Sequence, residues 1–292
     1  MVTQADYKGI PIAWCPGCGN FGILNAVRRA LVQLGLEPHQ VLMVSGIGQA
    51  GKLPHYARGN VLNTLHGRTL PGAIGAKIAN PGLVVLAIGG DGDGYAEGGN
   101  HFLHGARRNH DMTYLVHDNQ VYGLTKGQAS PTSDAGFVTK TTPEGASRPV
   151  NGLPLAILMG ATFVARAFAG DMEGLSDVIR RGIQHKGFSL VDILQPCVTF
   201  NHRNTWKWYR DRVYRVEEDG GYDRGDQQTA MRKAEEWGDR IPTGVIYETQ
   251  RPTYEEQQPG LRMGTLVKQG ADPRRIEKLL DDVDVARMVS SA

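Results

Sequence analysis

The stretch from Leu83 to Ser130, LVVLAIGGDGDGYAEGGNHFLHGARRNHDMTYLVHDNQVYGLTKGQAS, constrains the fold more than any other. Its opening apolar run, Leu83 to Ile88, predicts a buried parallel strand. The run ends in Gly89-Gly90-Asp91-Gly92-Asp93-Gly94, a turn whose backbone can approach a ligand closely. A helix is expected over 98–109, then a second apolar strand over 113–117 that leads into Asp118-Asn119-Gln120-Val121-Tyr122. Asp91 and Asn119, 28 positions apart, then fall at the carboxyl ends of two strands joined by one crossover. If those strands are neighbours, both side chains meet above the sheet, in the crevice where open α/β sheets bind ligands.

Oxygen donors beside flexible glycine suit a hard cation that also holds a phosphate. Mg²⁺ is typically bound by one or two protein oxygens together with substrate phosphates. Gly-Asp-Gly followed by Asn at this distance resembles the diphosphate-binding motif of thiamine diphosphate enzymes. The plainer alternative is a glycine-rich turn and an unrelated loop Asn. A calcium loop is excluded, because Phe102 stands where the bidentate Glu belongs.

Upstream, Trp14-Cys15-Pro16-Gly17-Cys18-Gly19 precedes a helix expected over 20–36, with Phe21, Leu24, Val27, Leu31 and Leu34 on one stripe. A Cys-x-x-Cys pair before a helix has three readings. A thioredoxin-like redox pair would follow a core strand, and only a short polar segment lies upstream. A zinc knuckle needs four ligands. Half of an iron–sulfur site needs further thiolates. Cys197, at the end of a strand expected over 188–194, is the remaining cysteine, and three thiolates brought together by the fold favour iron–sulfur.

Between these lies a strand over 41–45 and then Gly46-Ile47-Gly48-Gln49-Ala50-Gly51, a literal dinucleotide fingerprint. Nicotinamide binding is rejected, since Pro54 interrupts the following helix and no Asp or Glu occurs between Gly46 and Gly90. The glycines instead let the backbone reach another ligand. Lys52, His55 and Leu65-His66-Gly67-Arg68 follow, each charged group readable alone as a solvated surface residue. A glycine- and alanine-rich helix is expected over 70–80. With 38 glycines in 292 residues, nearly twice the usual share of about 7%, many turns must run close to something.

Residues 122–148 lack periodicity, and a loop this long is usually functional or disordered. Its start, Tyr122-Gly123-Leu124-Thr125-Lys126-Gly127-Gln128, offers N–H groups, a hydroxyl and an ammonium suited to phosphate or carboxylate. A helix (153–159), a strand (162–167), a helix (175–185) and the strand to Leu194 complete an α/β alternation, which implies one mostly parallel sheet flanked by helices with right-handed crossovers. Two regions are expected: 1–200 carrying the cofactor and cysteine sites, and a C-terminal extension, 201–292, that wraps a partner or the core. The extension opens on an aromatic, basic segment, 201–215, and its last 20 residues admit a flexible tail.

The charge balance, 32 basic against 30 acidic residues, gives no reason to expect nucleic acid or an anionic membrane as partner. No apolar run approaches the roughly 20 residues of a membrane span. The N-terminus has no basic-then-apolar leader, and three cysteines argue against a secreted disulfide framework, so a cytoplasmic protein is expected.

Taken together, WCPGCG, SGIG, HGR, GDGD with GGNH, NQVYGLTKGQ, SPTS and the late Cys197 resemble, in order, the beta subunits of 2-oxoacid:ferredoxin oxidoreductases, over roughly residues 11–215. Each motif is weak alone and the ordered set is specific. The resemblance implies a thiamine-diphosphate-binding fold, thiamine diphosphate, Mg²⁺ and a 4Fe–4S cluster. It implies reversible decarboxylation of a 2-oxoacid with transfer of the acyl group to coenzyme A and electron transfer to ferredoxin; run backwards, this is a step of reductive TCA-type carbon fixation. Position by position, it implies Mg²⁺ ligation by Asp91, Asn119 and the Val121 carbonyl. It implies cofactor contacts at Gly46, Ile47, Gly48, Gln49, His66, Gly67, Gly92, Asp93, Gly123 and Leu124. Cys15, Cys18 and Cys197 match the cluster ligands, and Lys52, Leu124 and Lys126 match positions near the substrate.

The chain departs from the family at Gln49, where a fourth cysteine is usual. The glutamate that activates the aminopyrimidine has no candidate here and belongs to the alpha subunit, which implies activity only in an assembly such as α₂β₂. GLTKGQ, SPTS and NTWKWYRDRVYR are closer to the 2-oxoglutarate type than to the pyruvate type, and a second carboxylate suits Lys52 and Lys126. Outside this class stand a thiol–disulfide redox protein, which leaves the Asp91–Asn119 pair and Cys197 unexplained, and a non-catalytic electron-transfer subunit.

Overall fold

A computed structural model describes residues 1–262, 264–270, 274 and 277. The strands are β1 (Val41–Ser45), β2 (Asn60–Asn63), β3 (Val84–Gly90), β4 (Met112–Asp118), β5 (Val121–Tyr122), β6 (Gln128–Ala129), β7 (Phe163–Phe168), β8 (Phe188–Leu194), β9 (Val213–Arg215) and β10 (Ile241–Glu248). Eight of them form one sheet in the order β2-β1-β3-β4-β8-β7-β10-β9, while β5 and β6 pair in a separate hairpin. Every pair in the large sheet is parallel except β10 against β7.

Among the described residues the α-helices are α1 (Asn20–Gln33), α2 (Leu53–Tyr56), α3 (Thr69–Ala79), α4 (Gly99–Arg108), α5 (Gly152–Leu158), α6 (Met172–Gln184), α7 (Trp206–Arg210), α8 (Gln227–Glu235), α9 (Tyr254–Gln257), α10 (Pro259–Arg262) and α11 (Leu266–Gln269). Successive strand residues point to opposite faces, and two cores result. Leu86, Ile88, Leu115, Val191 and Ile193 pack on α1 and α6. Val85, Ala87, Tyr114, Val116 and Leu190 pack on the side of α3, α4, α5 and α8. All seven residues of β4 and of β8 are buried, as strands covered on both faces require.

The expected elements between residues 20 and 194 form, the strands over 41–45 and 188–194 with the expected ends and the others with shifted ones. α1 stops at Gln33 because Gly35 takes the left-handed conformation (φ 66°) and Leu36 N–H bonds back to Leu31. The expected glycine turn is shorter than its sequence: β3 runs through Gly90, and Gly92–Glu97 is already a wide helical turn leading to α4. Beyond Leu194 the chain returns to the sheet. β10, unmarked in the sequence because Pro242 and Gly244 interrupt its apolar pattern, joins the β7 edge, and α8 buries Ala230 and Ala234 against α5. Residues 278–292, most of the segment that admits a flexible tail, lie outside the described residues. Among the described residues no helix is long and apolar enough to cross a membrane.

Candidate functional site

β3 and β4 are direct parallel neighbours with Gly90 opposite His117, so Asp91 and Asp118-Asn119 leave the sheet side by side at its carboxyl edge. The left-handed Gln120 (φ 59°) turns the chain so that Asn119 Oδ1 accepts from Val121 N–H at 3.0 Å. Asp91 is 1% exposed and Asn119 8%. Burial pushes the Asp91 carboxyl up to about 6, and among the described residues no basic side chain pairs with it.

Thr132 Oγ1 lies 2.7 Å from Asp91 Oδ2 and 2.7 Å from Asp118 Oδ1. A hydroxyl has one proton to donate, so one of these contacts takes its hydrogen from a carboxyl group. Asp118 is held well above the usual carboxylate range by burial first, then by the charges of Asp192 and Asp91. Asp192 accepts from Tyr95 OH at 2.6 Å and lies within the field of the buried Arg166.

Asp93 faces protein. Its Oδ1 accepts from Ile47 N–H (3.1 Å) and Gly67 N–H (2.9 Å), and its Oδ2 from Thr69 Oγ1 (2.9 Å). It thereby pins the Gly46–Gly48 loop to the His66–Gly67 loop. A carboxylate so engaged does not hydrogen-bond a diphosphate; it shapes the backbone that can. Gly92 is glycine for space, since an added β-carbon would lie 2.2 Å from the Tyr122 ring. Tyr122 OH donates to Glu97 (3.1 Å), which sits 3.7 Å from His66 Nδ1. Gly123 backs onto Gln49, and Ile47 and Leu124 are exposed at the rim. Lys52 is half-buried and Lys126 exposed, and among the described residues neither forms an ion pair.

Cys15, Cys18 and Cys197 are free thiols lining one cavity of about 40 Å³ with Gln49, Asn20 and Asn119. Gly17 (φ 81°) turns the Cys15–Cys18 loop, and Cys18 N–H donates to Cys15 O at 3.0 Å. Burial pushes the Cys18 thiol up to about 11, with Cys197 and Cys15 adding to the shift. Gln49 Oε1 and Asn20 Nδ2 are buried in the wall of this cavity without hydrogen-bond partners among the described residues. Three thiols are donors of the kind an iron–sulfur cluster uses, although among the described residues no three His, Cys, Asp or Glu side chains converge as a ready-made metal site.

The structure thus brings the sequence-derived residues into two adjoining groups: the Asp91–Asn119 crevice with its glycine loops, and the cysteine cavity, which share Gln49, Asn119 and Gly123 as walls. Sequence reasoning passed over Asp118, Thr132, Asp192 and Gln195. A charged residue inside the apolar run FSLVDIL was the available signal for Asp192.

The family model described as thiamine pyrophosphate enzyme, C-terminal TPP binding domain, matches residues 42–193, and the model for the C-terminal part of the pyruvate ferredoxin oxidoreductase beta subunit matches 197–263. A 2-oxoacid:ferredoxin oxidoreductase subunit beta of Saccharolobus solfataricus is 48% identical over 257 residues, covering 84% of each chain. The 2-oxoglutarate synthase subunit KorB of Archaeoglobus fulgidus is 43% identical over 199 residues, 67% of this chain and 74% of that one. A solved structure of 2-oxoglutarate:ferredoxin oxidoreductase from Magnetococcus marinus, with 2-oxoglutarate, coenzyme A and succinyl-CoA bound, superposes with a TM-score of 0.88 at 42% identity, covering 95% of this chain and 96% of that one.

Proposed function

The chain belongs to the 2-oxoacid:ferredoxin oxidoreductase beta subunits, and we propose that it is the thiamine-diphosphate-binding subunit of an enzyme oxidising 2-oxoglutarate. The reaction is 2-oxoglutarate plus coenzyme A giving succinyl-CoA, CO₂, a proton and two electrons, the electrons leaving singly for ferredoxin. The carrying observation is the buried Asp91, without a basic partner among the described residues, beside Asn119 at the carboxyl ends of neighbouring strands and inside a cradle of glycine loops.

Asp91, Asn119 Oδ1 and the Val121 carbonyl would hold Mg²⁺, and the N–H groups of the loops that Asp93 pins would meet a diphosphate. Bound thiamine diphosphate supplies the carbon nucleophile and electron sink that the side chains lack. Lys52 and Lys126, free of ion pairs among the described residues, offer charge to the substrate's carboxylates. Cys15, Cys18 and Cys197 would hold a 4Fe–4S cluster that receives the electrons, next to the metal crevice through the shared wall at Asn119. The glutamate that activates the aminopyrimidine would come from the alpha subunit in an α₂β₂ assembly.

The match of 197–263 to a pyruvate-type family model supports a second reading, in which pyruvate is the preferred substrate. Co-expression with the alpha subunit, anaerobic purification, and assay of thiamine, magnesium and iron beside turnover of both oxoacids separates these readings. Expected are all three cofactors, faster turnover of 2-oxoglutarate, and no turnover by this chain alone. Faster turnover of pyruvate selects the second reading. A colourless, thiamine-free complex overturns both.

A further inference from the structure

Gln195 joins the two halves of the site. It follows the last residue of β8, donates its backbone N–H to Asp118 O at 2.8 Å and is 1% exposed. Its Oε1 accepts from Asn119 Nδ2 at 3.0 Å. Its Nε2 lies 3.5 Å from Cys18 Sγ and 2.8 Å from Pro196 O, so its two amide hydrogens serve the sulfur and a carbonyl. The orientation is fixed. Val121 N–H donates to Asn119 Oδ1, which turns Asn119 Nδ2 toward Gln195. A flipped Gln195 would set N–H against N–H at Asn119 and oxygen against oxygen at Pro196.

Gly19 makes room for this contact, because a β-carbon there would lie 2.8 Å from Gln195 Cγ. A peptide N–H, two amides and a thiol sulfur therefore line up head to tail, from Val121 through Asn119 and Gln195 to Cys18.

We propose that Gln195 is a positioning residue that holds Asn119 in its metal-ligating rotamer and, through its Nε2–H, sets the electron affinity of the cluster at Cys18. This rests on the cofactor reading above. Groups that orient a metal ligand are commonly worth about 10–100-fold in metal affinity, and hydrogen bonds to the sulfurs help set cluster potentials. An N–H aimed at sulfur stabilises the more negative, reduced cluster, so losing it lowers the potential.

The test uses the anaerobic complex with its alpha subunit. In Gln195→Met, which keeps the volume and removes donor and acceptor, we expect affinity for thiamine diphosphate with Mg²⁺ to fall roughly 10–100-fold. We also expect the potential from an EPR-monitored titration to shift downward, with iron content unchanged. Gln195→Glu keeps an acceptor for Asn119 and should restore the affinity. Wild-type affinity and potential in Gln195→Met overturn the proposal. Absence of iron from the wild-type complex instead overturns the cluster reading and leaves the affinity arm to judge Gln195. If Gln195→Met does not assemble, the wild-type complex decides: its cluster EPR spectrum should change on adding Mg²⁺ and thiamine diphosphate, and an unchanged spectrum overturns the coupling.

Discussion

A β-carbon on Gly46 would lie 2.2 Å from Asp93 Oδ2 and 2.3 Å from Oδ1. The glycine is there for the carboxylate, whose hydrogen bonds to Ile47 and Gly67 hold both loops of the crevice. Gly46→Ala should expel Asp93 from its pocket, cost about 1–3 kcal/mol in the way of an overpacked core, and weaken thiamine diphosphate binding. Gly75, in the exposed middle of α3 with nothing among the described residues within 4 Å of an added carbon, is the control. Gly75→Ala should stabilise by up to about 1 kcal/mol and leave binding alone. Chemical denaturation with binding calorimetry checks both.

Asp91 is a buried charge with no basic partner among the described residues. Asp91→Asn removes that charge while keeping a side-chain oxygen for Thr132. The cofactor-free chain should melt at the same temperature or higher, because a buried unpaired charge is costly. Affinity for thiamine diphosphate with Mg²⁺ should fall by at least about tenfold, in line with losing one ligand interaction of more than about 1.4 kcal/mol. Unchanged thiamine occupancy in the purified variant would remove Asp91 from the metal site.

Among the described residues Gln49 Oε1 has no hydrogen-bond partner in the cysteine cavity, while the Gln49 main-chain carbonyl is held by Trp14 Nε1 at 2.9 Å. Gln49→Cys therefore loses no side-chain hydrogen bond and adds a fourth thiol to the wall. A thiolate adds negative charge to a cluster, and potential follows net charge. Anaerobic Gln49→Cys should hold iron more firmly in air and titrate at a lower potential than wild type. Equal potentials and equal bleaching rates, followed by absorbance near the iron–sulfur charge-transfer band, would mean that Gln49 does not face the cluster.

Asn109 ties the C-terminal segment to the sheet. Its Oδ1 accepts from Thr162 Oγ1 (2.8 Å) and Phe188 N–H (2.9 Å), its Nδ2 donates to Arg251 O (3.0 Å), and its backbone is left-handed at φ 58°. Asn109→Ala should destabilise by about 2–4 kcal/mol, from buried partners left unpaired and a left-handed alanine. Asn109→Gly relieves only the backbone and should recover about 1 kcal/mol of that loss. Urea denaturation resolves the difference.

Much of the frame is legible in the order of residues. Apolar runs such as LVVLAI and FSLVDIL, separated by helical periods and glycine, specify buried parallel strands because hydrophobic periodicity is a local property of the chain. The Gly-Asp-Gly turn and Asn119 could be placed together from the single crossover between them, and the glycine loops were visible as places of close approach.

What the sequence alone determined was therefore the α/β layering, the pairing of Asp91 with Asn119, and the three cysteines as a group. Tertiary structure decided the rest. β4 lies between β3 and β8, so Gln195, 76 residues beyond Asn119, reaches both it and Cys18. Asp93 turns inward to clamp two loops, Thr132 returns from the long loop to sit between two carboxyl groups, and β10 adds to the β7 edge despite Pro242 and Gly244. The physical reason is that a polar side chain's partner depends on strand order and register across the sheet. Neither leaves a period in the sequence, whereas burial of apolar faces does.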